Sequence, residues 1–102
     1  MSNDYVEKHL LPHARIAILR FLEDAPRYTS NVSMLSTLLP SVGIAMSRSQ
    51  ITDEVRWLEA EELAEVVEAG EGFIIVTATV AGVEVAQGIV SHEGVQRPRP
   101  GS

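Results

Sequence analysis

The chain has 102 residues, 45% of them hydrophobic and none of them cysteine. A single domain of that length buries roughly two-thirds of its unfolded surface, enough for one modest core, and the missing thiols exclude disulfides and thiolate metal sites and fit a reducing compartment. Eight Lys and Arg against fourteen Asp and Glu leave a net charge of −6, so the surface as a whole repels nucleic acid and any DNA contact must come from a local patch. No apolar run reaches the roughly 20 residues of a membrane span, and the start MSNDYVEKHL lacks the charged-then-apolar order of a signal peptide. The expectation is a cytoplasmic protein that does not enter a membrane.

In chain order, residues 3–11 are polar with scattered apolar positions and suit a short lead-in helix. Pro12 marks a fresh helix start, since proline is tolerated in a first turn. From His13, the apolar residues Ile16, Ile18, Leu19 and Leu22 define the first core helix, which ends near Asp24 with Pro26 as its stop. His9 and His13 have metal-ligand spacing, but no third ligand is in place and Pro12 falls between them, so two histidines at the solvent edge are the better account.

Residues 27–30 read as a loop, with Ser30 or Asn31 capping a second helix that carries Val32, Leu35, Leu38 and Leu39. Pro40 ends or kinks it, and Gly43 suits the left-handed residue that closes helices. A third helix opens at Ser47, where Ser47 and Gln50 have capping-box spacing. Ile51, Val55 and Leu58, in line with Glu62, form its apolar stripe, and Ser49, Asp53, Arg56 and Ala60 point the opposite way.

Two β-prone runs, 64–69 and 73–78, flank Gly70-Glu71-Gly72 and read as a hairpin with a glycine turn. Thr79 then caps a last helix over residues 80–87, ended by Gly88. Residues 89–102 show no helical or strand period, and Arg97-Pro98-Arg99-Pro100-Gly101 reads as an extended, solvated arm. The expected fold is α+β, mainly helical: a winged helix-turn-helix with a three-helix core, a β-hairpin wing and a C-terminal helix. Residues 1–88 form that domain with its lead-in, and 89–102 the tail.

The chain also resembles a family of small winged-helix proteins of Mu-like phages and prophages that carry an ArsR-type regulator label. The matching residues are Ser2-Asn3-Asp4-Tyr5, Ile18-Leu19-Arg20-Phe21-Leu22 with Ala25-Pro26, Ser47-Arg48-Ser49-Gln50-Ile51, Trp57-Leu58, Thr79 with Gly82, and Gly94 through Gly101. The resemblance implies a phage or prophage origin, a bacterial host cell and a winged-helix fold. It implies a DNA-related role only through the label, which is analogy at the level of fold. The cysteines of metal-sensing ArsR repressors are absent, so no cofactor or metal is expected.

If the third helix enters a major groove, Arg48, Ser49, Gln50, Thr52 and Asp53 meet base edges, with Arg48 suited to guanine and Gln50 to adenine by bidentate pairs. Arg56, Arg27, Arg97 and Arg99 would then meet phosphates or the minor groove. Against this stands the alternative that Arg48 and Arg56 pair with Asp53, Glu59 or nearby acids on a solvated face. Acids also crowd the helix and the wing, where Glu65, Glu68 and Glu71 would be pushed from phosphates. DNA binding would therefore be weak, or carried by a homodimer or by the arginine arm. The competing reading is a module that holds another phage protein in regulation, packaging or assembly. Its candidate anchor is Trp57, roughly 120° off the apolar stripe, either an interface residue or one packed under the N-terminal segment of its own chain. An enzyme is not expected: no nucleophile stands with a base, and no glycine-rich phosphate loop is present.

Overall fold

The computed structural model describes residues 4–98. The chain is helical from Asp4 and runs through a π-helical turn, Val6–Leu10, into α1 (Leu11–Asp24) without a break. Leu10 is itself helical at φ −70°, ψ −50°, and the Leu11 N–H donates to the Val6 carbonyl, one residue further back than in an α-helix. The expected interruption at Pro12 is thus corrected. Proline has no N–H to give and its ring presses on the carbonyl four residues back, and widening the preceding turn relieves both constraints while the helix continues. The inner face of α1 buries Ala14, Ile16, Ala17, Ile18, Leu19 and Leu22.

After Ala25 leaves the helix in an extended conformation, Arg27 (φ 57°) and Tyr28 (φ 58°) both adopt the left-handed region and reverse the chain. The segment read as a loop then becomes a strand, β1 (Thr29–Asn31), which pairs antiparallel with β3 as Thr29↔Thr77, Ser30↔Val76 and Asn31↔Ile75. Asn31 closes the strand and starts α2 (Val32–Leu38), its Oδ1 accepting the Met34 N–H at 2.8 Å. Of the two caps proposed, Asn31 is the one used. A 3-10 turn at Leu39–Val42 carries Pro40, and Gly43 (φ 82°) ends it as expected.

The capping box at Ser47 is complete: the Ser47 hydroxyl accepts the Gln50 N–H at 3.1 Å, and Gln50 Oε1 accepts the Ser47 N–H at 2.8 Å. It opens α3 (Arg48–Ala60), in which Ile51, Val55 and Leu58 are fully buried. Each such side chain contributes about 2 kcal/mol of transfer free energy. Glu62 does not extend the stripe. It takes φ 64° at the helix exit, where the Leu63 N–H reaches back to the Leu58 carbonyl at 2.9 Å and turns the chain into β2 (Ala64–Glu68). The hairpin partner is β3 (Ile74–Ala78), with Gly70 and Gly72 both at positive φ in the connection, and the sheet order is β1-β3-β2. The central strand therefore has a partner on each side.

Thr79 caps α4 (Val80–Ala86) with its hydroxyl on the Gly82 N–H. Gly82 packs so close to the Leu63 carbonyl that an added Cβ would overlap it, so glycine is what lets α4 settle on the turn after α3. These elements give the winged-helix arrangement: α1, α2 and α3 around one core, the β2–β3 wing, and α4 packed on α1.

Two features were not legible beforehand. Glu54 is 7% exposed, and its Oε1 accepts a 2.7 Å hydrogen bond from Arg15 Nε across the α1–α3 interface. Residues 92–96, part of the tail 89–102 that shows no regular period, pack on the domain. Val95 is buried, the Gln96 N–H donates to the Pro12 carbonyl at 3.1 Å, and the Gly94 carbonyl accepts from Arg15 Nη1 at 3.0 Å. Both the charge on Arg15 and the tail backbone are satisfied by these contacts.

Removing one partner of a buried ion pair strands the other charge, at a cost of about 3–5 kcal/mol. Glu54→Ala should therefore lower the unfolding free energy in urea by about that much, and Arg15→Met with Glu54→Leu together by far less. A loss below about 1 kcal/mol for Glu54→Ala would show that the pair does not hold α3 on α1.

Candidate nucleic-acid interface

The surface that a winged helix presents outward consists here of the start of α3 and the hairpin beside it. Ser47, Arg48, Ser49, Gln50, Asp53 and Arg56 are exposed, and Thr52 is half-buried. Exposure alone does not make them free. Thr52 Oγ1 donates to the Arg48 carbonyl at 2.8 Å, one turn back on its own helix. Gln50 holds the cap with the carbonyl oxygen that a bidentate adenine contact requires, so reading adenine would cost the capping interaction, about 1 kcal/mol. Arg56 Nη1 pairs with Glu59 Oε1 at 3.1 Å, and its Nη2 lies 3.9 Å from Glu68 Oε1 on the wing. For Arg56 the pairing alternative is the observed one.

Arg48 differs from all of these. Among the described residues it makes no hydrogen bond or ion pair through its side chain, and it stands in the first turn of α3, where unsatisfied backbone N–H groups leave partial positive charge. Asp53 sits one turn further along, at the rim of a cavity of about 250 Å³ between the lead-in helix and α3 that also touches Val6, Leu10 and Met46. The structure thus brings together Arg48, Ser49, Gln50, Thr52, Asp53 and Arg56 on one helix and leaves one uncompensated cation there.

The remaining candidates lie elsewhere. Arg27 precedes β1 and, by the Thr29↔Thr77 register, belongs to the end of the sheet away from the glycine turn of the wing. Arg97 is exposed beside α1, lining a second cavity with His13, Arg20 and Val42. Arg99 lies outside the described residues. The wing carries exposed Glu65, Glu68 and Glu71 and two exposed apolar side chains, Val67 at 58% and Phe73 at 44%. Cross-strand pairing puts Val67 opposite Ile75 on the outer face of the sheet.

Trp57, a candidate anchor for a partner, is engaged by its own chain. The Arg15 guanidinium lies 3.7 Å from its ring centroid, His92 meets its ring at 5.4 Å edge-on, and a Cβ at Gly94 would come within 2.6 Å of its ring carbons. His92 adds a fastening: its Nδ1 accepts the Gly94 N–H, which leaves Nε2 to donate to Glu61 Oε1 at 2.9 Å. Trp57 is therefore packed within its own chain, but under the C-terminal segment at His92 and Gly94 and not under the N-terminal one, which corrects the expectation. The signal that sequence reading missed is Arg15, a charge set between Ala14 and Ile16 in an apolar run, facing an acid beside the Ile51-Val55-Leu58 stripe.

His9 stacks near Tyr5 at 5.6 Å, and among the described residues no group of three His, Cys, Asp or Glu is placed to hold a metal. No helix of the described residues is long and apolar enough to cross a membrane.

A three-helix core with a capped outward helix and a hairpin wing defines a winged-helix protein. The same fold is found in a mutant of ZitR from Lactococcus lactis in apo form, with a TM-score of 0.59 and 22% identity over 78% of this chain and 56% of that one. A second structure of the ZitR mutant matches with a TM-score of 0.56 and 22% identity, covering 72% of this chain and 47% of that one. The chain thus spans about half the length of the ZitR chains, and the likeness is one of fold. No family model matches. Over 86 residues the chain is 38% identical to the uncharacterized protein gp26 of Escherichia phage Mu, covering 84% of this chain and 88% of the phage protein. It belongs to the family of that phage protein.

The capping box makes a separate demand on the site. Ser47→Ala should lower stability by about 1 kcal/mol in urea unfolding, and Gln50→Glu, which keeps the acceptor, should leave it nearly unchanged. Equal losses in the two variants would mean that the amide group of Gln50 does something other than cap.

Proposed function

We propose that the protein is a phage or prophage transcriptional regulator that binds double-stranded DNA through the start of α3, acting as a homodimer in the cytoplasm of the bacterial host and catalysing no reaction. The observation that carries this reading is Arg48: the cation of the outward helix that no acid among the described residues has claimed, set in a helix N-terminus that favours phosphate and next to side chains suited to base edges. The ArsR-type label adds a regulator's role by analogy, without the metal chemistry of that class. Against catalysis, the larger cavity has His13 and Asp24 in its wall but no serine, threonine or cysteine to act as nucleophile.

The wing limits how tightly such a surface binds. Glu65, Glu68 and Glu71 oppose the phosphates that a wing ordinarily meets, so affinity per protomer is low and a second protomer is needed for useful occupancy. Exposed Tyr5 (69%) and Val6 (38%) on the lead-in helix supply an apolar surface for that pairing. Sedimentation equilibrium should show a dimer that dissociates on dilution. A monomer throughout would remove the homodimer.

A second reading has its own observation. The apolar outer face of the wing, Val67 with Ile75 and nearby Phe73, edged by glutamates, suits another phage protein better than it suits a phosphate backbone.

Fluorescence anisotropy with duplexes from the DNA flanking the gene distinguishes the two. The regulator should show sequence-selective binding whose affinity falls as salt rises. Arg48→Ala should weaken it about tenfold or more, and Arg56→Ala much less. No selective binding at low salt would leave the protein-interaction module in its place.

A further inference from the structure

The cavity between α1 and the C-terminal segment, about 400 Å³, falls within the size range of small-molecule sites. Ile16, Ala17, Phe21, Val42 and Pro98 supply apolar wall, and Arg20 and Arg97 stand in the same lining with Asp24 as the one carboxylate. Arg20 is half-buried and, among the described residues, its side chain makes no hydrogen bond or ion pair. Its guanidinium keeps contact with water and has no acid of its own among those residues, although acids outnumber bases in this chain of net charge −6, so its donors are open to an anion that enters the cavity.

We propose that this cavity binds a small amphipathic anion, a carboxylate on an apolar ring, with the carboxylate on the Arg20 fork and the ring against Ile16, Phe21 and Val42. The guanidinium offers paired N–H donors that match a carboxylate edge to edge, and the apolar wall takes what the charge does not need. Arg97 adds a second positive charge at the site, and Asp24 disfavours more highly charged anions. The site goes beyond the DNA-binding reading and does not depend on it. Its wall nevertheless includes Val42, which lies directly before Gly43 and the segment leading to the Ser47 cap of α3. An occupant would therefore brace the connection that positions the outward helix.

The test uses the free full-length protein, without DNA, and 2-naphthoate as the probe, followed by calorimetry and by amide NMR shifts. Binding should saturate, with the shifts centred on Ala17, Phe21, Val42 and Gln96. The uncharged 2-naphthamide should bind at least about tenfold more weakly to the unaltered protein. Arg20→Gln should lose at least about tenfold in naphthoate affinity with its melting temperature unchanged, and Arg20→Lys should retain part of it. Naphthoate and naphthamide binding equally well, absence of saturable binding, or shifts centred away from these residues would each overturn the proposal. The naphthamide comparison keeps the test decisive even if Arg20→Gln does not fold.

Discussion

A single ion pair in a nearly dry place sets the geometry of this domain. Arg15 and Glu54 meet at 2.7 Å with side-chain exposures of 11% and 9%, on the two helices whose relative position decides which face of α3 looks outward. Two charges in such a place are tolerated only when their remaining valences are taken up. The Trp57 ring lies against the guanidinium and the Gly94 carbonyl accepts its second N–H, so the requirements of one arginine draw α1, α3 and the C-terminal segment together. Gly94 is the residue that permits this, because a side chain there would collide with the indole. An apolar pair would pack the interface as well, but it would not demand that the tail return.

With α3 fixed in this way, its outward side is largely committed to internal tasks. Gln50 caps, Thr52 binds its own helix, and Arg56 pairs with Glu59 on the same helix and reaches Glu68 of the wing. The balance of charge beyond them is acidic, which is the opposite of what tight, non-selective DNA binding needs. A surface with one free cation among the described residues and several glutamates discriminates by rejecting poor fits as much as by attracting good ones. The same acids that weaken contact with phosphates give the apolar wing face an edge suited to a basic protein partner, which is why the two functional readings draw on one feature.

The sequence made the local grammar of the fold plain because each signal is a short-range one. Ser47 with Gln50, Asn31, Thr79, Gly43 and the glycines of the hairpin act within a few residues of themselves, and each does so in the structure. What stayed hidden depends on residues far apart. Thr29-Ser30-Asn31 has no apolar alternation and becomes a strand only because β3 offers an edge. Glu54 looks like one acid among many until Arg15, 39 residues away, is placed opposite it. Val95, a lone apolar residue in a polar tail, finds its pocket only after the core exists. Pro12 misled for a different reason: the rule that proline breaks helices assumes that the preceding turn cannot widen.

The most direct measurement of the proposed DNA contact is an amide NMR map of the full-length protein titrated with duplexes from the DNA flanking the gene. The expected result is shifts concentrated in residues 47–53, with the hairpin tip at residues 70–72 nearly still. Shifts confined to the hairpin or to the lead-in helix, with residues 47–53 unmoved, would contradict the assignment of α3 as the surface that meets DNA.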